Sequence, residues 1–208
     1  MKTSEAGIEF VANHEGWVNH VYKDIANIDT IGYGHVVKPG EAFPPIITKE
    51  RGLSILASDL GFAESAVNKG VKVIITQNQF DALVSFTFNM GGGAFTSSTL
   101  LKKLNAGDVA CAADEILRWD HTTINGKLTQ AAGLTKRRKE ERAVFLTPDT
   151  VVEAEAPPAA PSPDPVVVTP SPVVILVPAP VPVVEEPKSV SFFGFIMMII
   201  NMILGRKK

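Results

Sequence analysis

Eleven of the chain's 15 prolines fall between Asp149 and Lys188, a stretch of 40 residues. Proline at this density removes backbone donors and fixes φ, so helix and central strand are both excluded there. The stretch also holds 11 valines and no aromatic residue, and it alternates as PAPVPVV from Pro178 to Val184. Its expected state is an extended, polyproline-II-like spacer, reaching roughly 120 Å at about 3.1 Å per residue. The plainer alternative is a disordered linker with no specific role. Either way the 208 residues do not make one even globule. They divide into 1–148, an acidic Pro/Val/Ala-rich linker at 149–188, and an apolar segment at 189–208.

Charge follows the same boundaries. Residues 1–148 carry 16 basic and 16 acidic side chains, residues 149–188 carry a net −5, and the last 20 residues have three basic groups and no acid. This pattern excludes a broadly basic, nucleic-acid-binding chain, which would show a positive body or stripe. The lone cysteine, Cys111, excludes an intramolecular disulfide. Flanked by alanines in a helical stretch, it is expected to be a buried apolar residue. The histidines at 14, 20, 35 and 121 show no metal spacing with acids or cysteine, so no metal and no cofactor is expected.

The first 16 residues place Glu5, Glu9 and Asn13 where a signal peptide would need its apolar stretch. The apolar segment lies at the other end. Residues 189–205 carry no charge, and as a helix would span about 25 Å, the short end of what a bilayer core requires. Arg206, Lys207 and Lys208 follow, suited to phospholipid headgroups. The preferred reading is a membrane anchor, with a helix packed on the domain as the alternative. The basic end favours a cytoplasmic C-terminus, whereas the lack of an N-terminal signal argues against an exported domain.

Residues 1–148 read as an α+β domain, mainly helical with a small N-terminal sheet. Ile8, Val11 and Ala12 mark a first helix over about 5–15, stopped by Gly16. Val18 to Val37 is rich in β-formers and broken by turn residues, which predicts a twisted hairpin. From Thr48, Leu53, Leu56, Leu60 and Ala63 form one helical face. Further helices are predicted over Gln77–Phe88, before a Gly91-Gly92-Gly93 stop, and over Leu100–Leu104, Val109–Trp119 and Lys136–Leu146. Trp17 and Trp119 read as core residues first and sugar-stacking residues second.

The stretch from His14-Glu15-Gly16-Trp17 through Asp24 to Thr30-Ile31-Gly32-Tyr33-Gly34-His35 carries the chemistry. Cleaving a glycosidic bond takes one protonated carboxyl to donate to the leaving oxygen and a second, ionised carboxylate on the other face of the sugar. Glu15 is predicted at the C-terminus of the first helix, where the helix dipole disfavours an ionised carboxylate, as a general acid requires. Asp24 falls in a polar turn where it should stay ionised, and the Thr30 hydroxyl on the returning strand is suited to fixing a water beside it. Gly32 and Gly34 would let that strand turn or approach closely, and they lack the following helix and Lys of a phosphate loop. Spacing alone would not distinguish this pair from surface carboxylates.

The pattern E-G-x5-Y-x-D-x5-T-I-G-x-G-H resembles the active-site signature of phage-type lysozymes, the endolysins of glycoside hydrolase family 24. Gln79–Leu83 with Phe86, Phe88, Asn89 and Gly91 is similar to that family's central helix. Phe95 with Ser98–Asn105 resembles its next helical turn, and Leu117–Trp119 with Gly133–Arg138, Glu141, Arg142 and Phe145 resembles its closing helices. The resemblance covers residues 5–146. It implies a lysozyme-like fold and hydrolysis of the β-1,4 bond between N-acetylmuramic acid and N-acetylglucosamine in bacterial peptidoglycan. Glu15 would be the general acid of an inverting mechanism, with Asp24 and Thr30 positioning and activating water. His35 and Asp59 would form a structural pair joining sheet to helices. Arg137 or its neighbour Arg138 would approach the acid. Val36, Phe88 and Ser98 match positions lining the sugar cleft, and a packing role is an equal reading for each.

The implied setting is a monomer acting on peptidoglycan for host lysis, held in the bacterial cytoplasm until lysis or anchored at the inner membrane through residues 189–205. The competing readings are a non-catalytic, membrane-tethered peptidoglycan-binding protein, and a lytic transglycosylase or chitinase.

Overall fold

A computed structural model describes residues 1–124 and 126–148. The linker and anchor readings of 149–188 and 189–208 lie outside them. Helix α1 (Glu5–Glu15) starts where the Ser4 hydroxyl accepts the Gly7 amide and ends at Gly16, whose φ of 72° no β-carbon favours. Strands β1 (Val18–Lys23), β2 (Asp29–Gly32) and β3 (His35–Val36) follow as an antiparallel sheet in that order. Thr30 pairs with Tyr22 on one side and Val36 on the other. The β2–β3 turn uses Gly32 and Gly34 at φ of 69° and 87°, which is why the sequence places glycine at both.

The rest of the domain is helical apart from one hairpin. Its helices are α2 (Lys49–Asp59), α3 (Gly61–Gly70), α4 (Gln77–Met90), α5 (Gly92–Ser97), α6 (Thr99–Asn105) and α7 (Val109–Ile116). The hairpin β4 (His121–Ile124) and β5 (Lys127–Gln130) then leads into α8 (Ala132–Leu146). Helix α4 begins with a reciprocal Thr76–Gln79 capping box and buries every residue from Phe80 to Asn89. It is the axis of the main core, which gathers Val11 from α1, Leu56, Leu60 and Val67 from the α2–α3 region, Phe95, Leu100 and Leu104 from α5 and α6, and Phe145 from α8. A second, small core of Ile31, Ile47 and Ile55 sits under the sheet, with Trp17 and Phe43 packed against it. Gly52 makes this approach possible: a β-carbon there would lie 2.1 Å from Trp17 Cζ3.

Several expectations change in detail. The face Leu53–Ala63 belongs to two helices, because the chain breaks at Leu60–Gly61 while Leu56, Leu60 and Ala63 all stay buried. Only Gly91 stops α4; Gly92 and Gly93 open α5. Helix α7 ends at Ile116, before Trp119, and α8 begins four residues before Lys136. Cys111 is exposed, not buried. The inward face of α7 is Ala112, Ala113 and Ile116, and Cys111 falls beside it in the first turn, its amide on the Asp108 cap.

Candidate active site

Glu15 is the last residue of α1 and is 3% exposed. A carboxylate buried this far needs partners. One comes from the other end of the domain: Arg137 Nη1 donates to Glu15 Oε1 at 2.7 Å. Glu15 Oε2 has no partner among the described residues. One carboxyl oxygen is therefore held and the other left uncommitted. Of the two candidate arginines it is Arg137 that meets Glu15; Arg138 turns to Asn89 Oδ1 at 2.7 Å.

Arg137 is itself fixed on three sides. Its Nε donates to Glu141 Oε1 at 3.1 Å, and its Nη2 lies 3.3 Å from both the carbonyl and the hydroxyl oxygen of Ser85. Glu141 Oε1 also accepts from the Ser85 hydroxyl at 2.8 Å and from Arg138 Nη2 at 3.1 Å. All these side chains are buried. Ser85, Asn89 and Glu141 have no role of their own in the sequence pattern, and the structure gives them one. The signal in the sequence is Gln77, Asp81, Ser85 and Asn89, a polar stripe of period four along a helix whose stretch from Phe80 to Phe88 is otherwise apolar save for Thr87.

Asp24 closes β1 with a tight turn. Its Oδ1 accepts the amides of Ala26 and Ile28 at 2.8 and 2.9 Å, and Asn27 takes the left-handed conformation at φ 60°. Thr30 is buried on β2, and its hydroxyl donates to the Ile28 carbonyl at 3.2 Å. Ile28 thus fastens both residues, through its amide to Asp24 and through its carbonyl to Thr30. The half-buried Asp24 keeps Oδ2 without a partner among the described residues.

His35 Nδ1 lies 2.8 Å from Asp59 Oδ2 on α2, and its Nε2 lies 3.0 Å from Glu41. The imidazole therefore joins the sheet to α2, and Glu41 was not anticipated as its second partner. A backbone amide of Lys38 and then the His35 ring hold the Glu41 carboxyl below its ordinary range. Val36 is half-buried on β3. Phe88 is 5% exposed in the main core and stacks on Phe62 at 5.8 Å. Ser98 caps α6, accepting the Leu101 amide and donating to the Phe95 carbonyl. These contacts of Phe88 and Ser98 serve packing and capping. Trp119 packs edge-on against Phe86 at 5.5 Å, and Trp17 lies against Tyr33 at 4.9 Å.

His14 precedes Glu15 in α1. Burial, then the charges of Arg137, Arg138 and Lys136, lower its imidazole to about 4. Glu140, 3.2 Å from Nε2, pulls the other way, but its side chain is 42% exposed and the water around it weakens that pull. The unfolded chain takes up this proton near pH 6.5, and the folded protein resists it until about 4. Stability from this site is therefore complete above pH 6.5 and lost as pH falls toward 4. Urea midpoints should drop between pH 7 and 4.5 by the equivalent of about 1–2 kcal/mol more in the native protein than in His14→Gln. Parallel pH dependences would remove His14 as the cause.

A family model of phage lysozyme matches residues 12–141, a span that includes every residue of this site. An endolysin of Acyrthosiphon pisum secondary endosymbiont phage 1 is 41% identical over 147 residues, covering 70% of this chain and 98% of its own. An endolysin of Salmonella phage P22 is 37% identical over 150 residues, covering 71% and 99%. Among solved structures, an endolysin from Escherichia coli O157:H7 phage FAHEc1 is 38% identical with a TM-score of 0.65, covering 70% of this chain and 94% of its own. The muramidase domain of SpmX from Asticaccaulis excentricus is 38% identical with a TM-score of 0.64, covering 71% and 99%. A match of this length to the family, joined to relatives aligned along almost their whole chains, makes this chain a member of the phage lysozyme family, a peptidoglycan-hydrolysing glycosidase.

Proposed function

We propose that the chain is a muramidase that hydrolyses the β-1,4 bond between N-acetylmuramic acid and N-acetylglucosamine with inversion. Glu15 gives its proton to the leaving oxygen, while Asp24 and Thr30 hold the water that attacks the anomeric carbon. The proton that this water loses passes to Asp24, and one water is consumed per bond cleaved. The observation that carries the reading is Glu15 itself: it is buried, with one oxygen held by Arg137 and the other uncommitted. Fastening of Asp24 and Thr30 to one residue, Ile28, supports their joint role. Proton NMR of the first-formed reducing sugar tests the stereochemistry. An α anomer is expected, and a β anomer would mean retention. Mass analysis showing anhydro-sugars would replace hydrolysis by transglycosylation.

The same reading makes the protein a phage or prophage lysis enzyme, acting on the wall as a monomer, with residues 189–205 as a membrane anchor. The uncharged run and its basic end support the anchor. Residues 189–208 fused to a soluble reporter should carry it into the membrane fraction; a wholly soluble reporter would end that part of the reading.

A further inference from the structure

The sequence pattern accounts for Glu15 and one arginine, yet the structure surrounds that pair with a second pair, Glu141 and Arg138, both with side chains 0% exposed. All of Glu141's bonds lie within this cluster: its Oε1 collects Arg137 and Arg138 of its own helix and Ser85 of α4, and its Oε2 has no partner among the described residues. A buried carboxylate with three donors on one oxygen and none on the other is costly, and packing alone would be served as well by an apolar residue. What its position does provide is a counter-charge on the far side of the guanidinium that touches Glu15.

We propose that Glu141, with Arg138, is a positioning and charge-setting residue for the acid: it orients Arg137 and takes up part of its positive charge, so that Glu15 keeps its proton to higher pH than Arg137 alone would allow. The inference rests on Glu15 being the acid of the proposed reaction. The buried cluster then holds two guanidinium groups against two carboxyls. Removing the Glu141 charge leaves an excess of positive charge beside Glu15, which releases its proton more readily. Removing the Arg138 charge does the opposite.

Other charged groups near Glu15 do not duplicate this role. On α1 its neighbour is His14, to which Lys136 and Glu140 of α8 are directed. Helix α4 meets the cluster with uncharged Ser85 and Asn89, its Asp81 being engaged by Ser4 at the opposite end of α1. On α2, Asp59 is taken by His35. Asp120, before β4, acts on Arg138 and is bonded to Gln130 and Thr135.

The test compares the full-length wild type with Glu141→Gln, Glu141→Asp and Arg138→Met. The readouts are the pH profile of peptidoglycan hydrolysis and the titration of the Glu15 carboxyl by carbon-13 NMR. In Glu141→Gln the high-pH limb of activity and the midpoint of the Glu15 signal should both move down by about one pH unit. In Arg138→Met, where methionine keeps much of the side-chain volume, both should move up. Glu141→Asp keeps the charge and should keep the limb, even with a lower kcat. A merely structural role would lower activity in all three and leave the Glu15 midpoint in place, and that result would overturn the proposal. Should Glu141→Gln fail to fold, the upward shift in Arg138→Met decides alone. A wild type inactive on peptidoglycan would overturn the proposed function, while the NMR midpoints would still report whether Glu141 and Arg138 set the charge on Glu15.

Discussion

Replacing Glu15 by glutamine should lower peptidoglycan hydrolysis by about 10²–10⁴-fold while leaving the protein folded. The amide matches the carboxyl in shape, and its oxygen can still accept from Arg137 Nη1, which now sits at 2.7 Å from Oε1. Arg137 also retains Glu141 and Ser85 as partners, so the substitution does not strand a buried cation. What the amide lacks is a proton acidic enough to protonate a leaving sugar oxygen. The loss should therefore appear in kcat, with KM little changed, because a general acid at Glu15 would be called on most strongly in the transition state. Loss of turbidity of purified cell walls, read beside thermal melts of both proteins, makes the comparison. Activity within a few-fold of wild type would remove Glu15 from its role. Abolished turnover with retained wall binding would at the same time exclude a purely binding function for the native chain.

How much of this was legible in the sequence depends on how local each signal is. Helix α1 was readable because its Ser4 cap, its apolar period and its Gly16 stop lie within 13 residues. The break between α2 and α3 was not, because Leu56, Leu60 and Ala63 continue the same period across it. The β4–β5 hairpin escaped for a different reason. Its strands are short and mostly exposed, so they carry no apolar alternation to read, and the one turn signal in the sequence there is the dipeptide Asn125-Gly126. The start of helix α8, before its charged run, was not readable because Ala131 caps it without any side-chain bond, which leaves no signature in the sequence. The proposed catalytic stretch from Glu15 to Thr30 could be found in one pass along the chain. Its arginine could not be placed by spacing, since 122 residues separate Glu15 from Arg137 and only the packing of α8 on α4 brings them together. The polar stripe along α4 is the intermediate case. Its period of four is plain in the sequence, but which charges it receives is decided by the helix that crosses it.

Arg138 tests that crossing directly, and Arg138→Ala should cost about 3–5 kcal/mol of stability. The side chain is fully buried and spans several partners: Nη2 reaches both Asn89 and Glu141, and the guanidinium carbon lies 5.0 Å from the centre of the Phe86 ring. Burial, before any neighbour, pulls the guanidinium down to about 10, and Glu141 is the strongest influence keeping it charged. Truncation leaves the Asn89 carbonyl without its donor, removes one of the two cations facing Glu141, and opens a cavity against Phe86. These penalties fall together because no water-exposed route is open to the groups left behind. For a domain of this size the melting temperature should drop by roughly 10–15 °C. Arg142→Ala supplies the contrast on the same helix. That arginine pairs with Asp114 at 2.8 Å, but with side chains 38% and 64% exposed the pair should be worth less than about 1 kcal/mol. Equal losses in the two variants would mean that the helix, and not the buried cluster, sets the cost. A large loss confined to Arg138→Ala would show that α8 is held on α4 by the same side chains that surround Glu15, so that the stability of the fold and the placement of that carboxyl draw on one network.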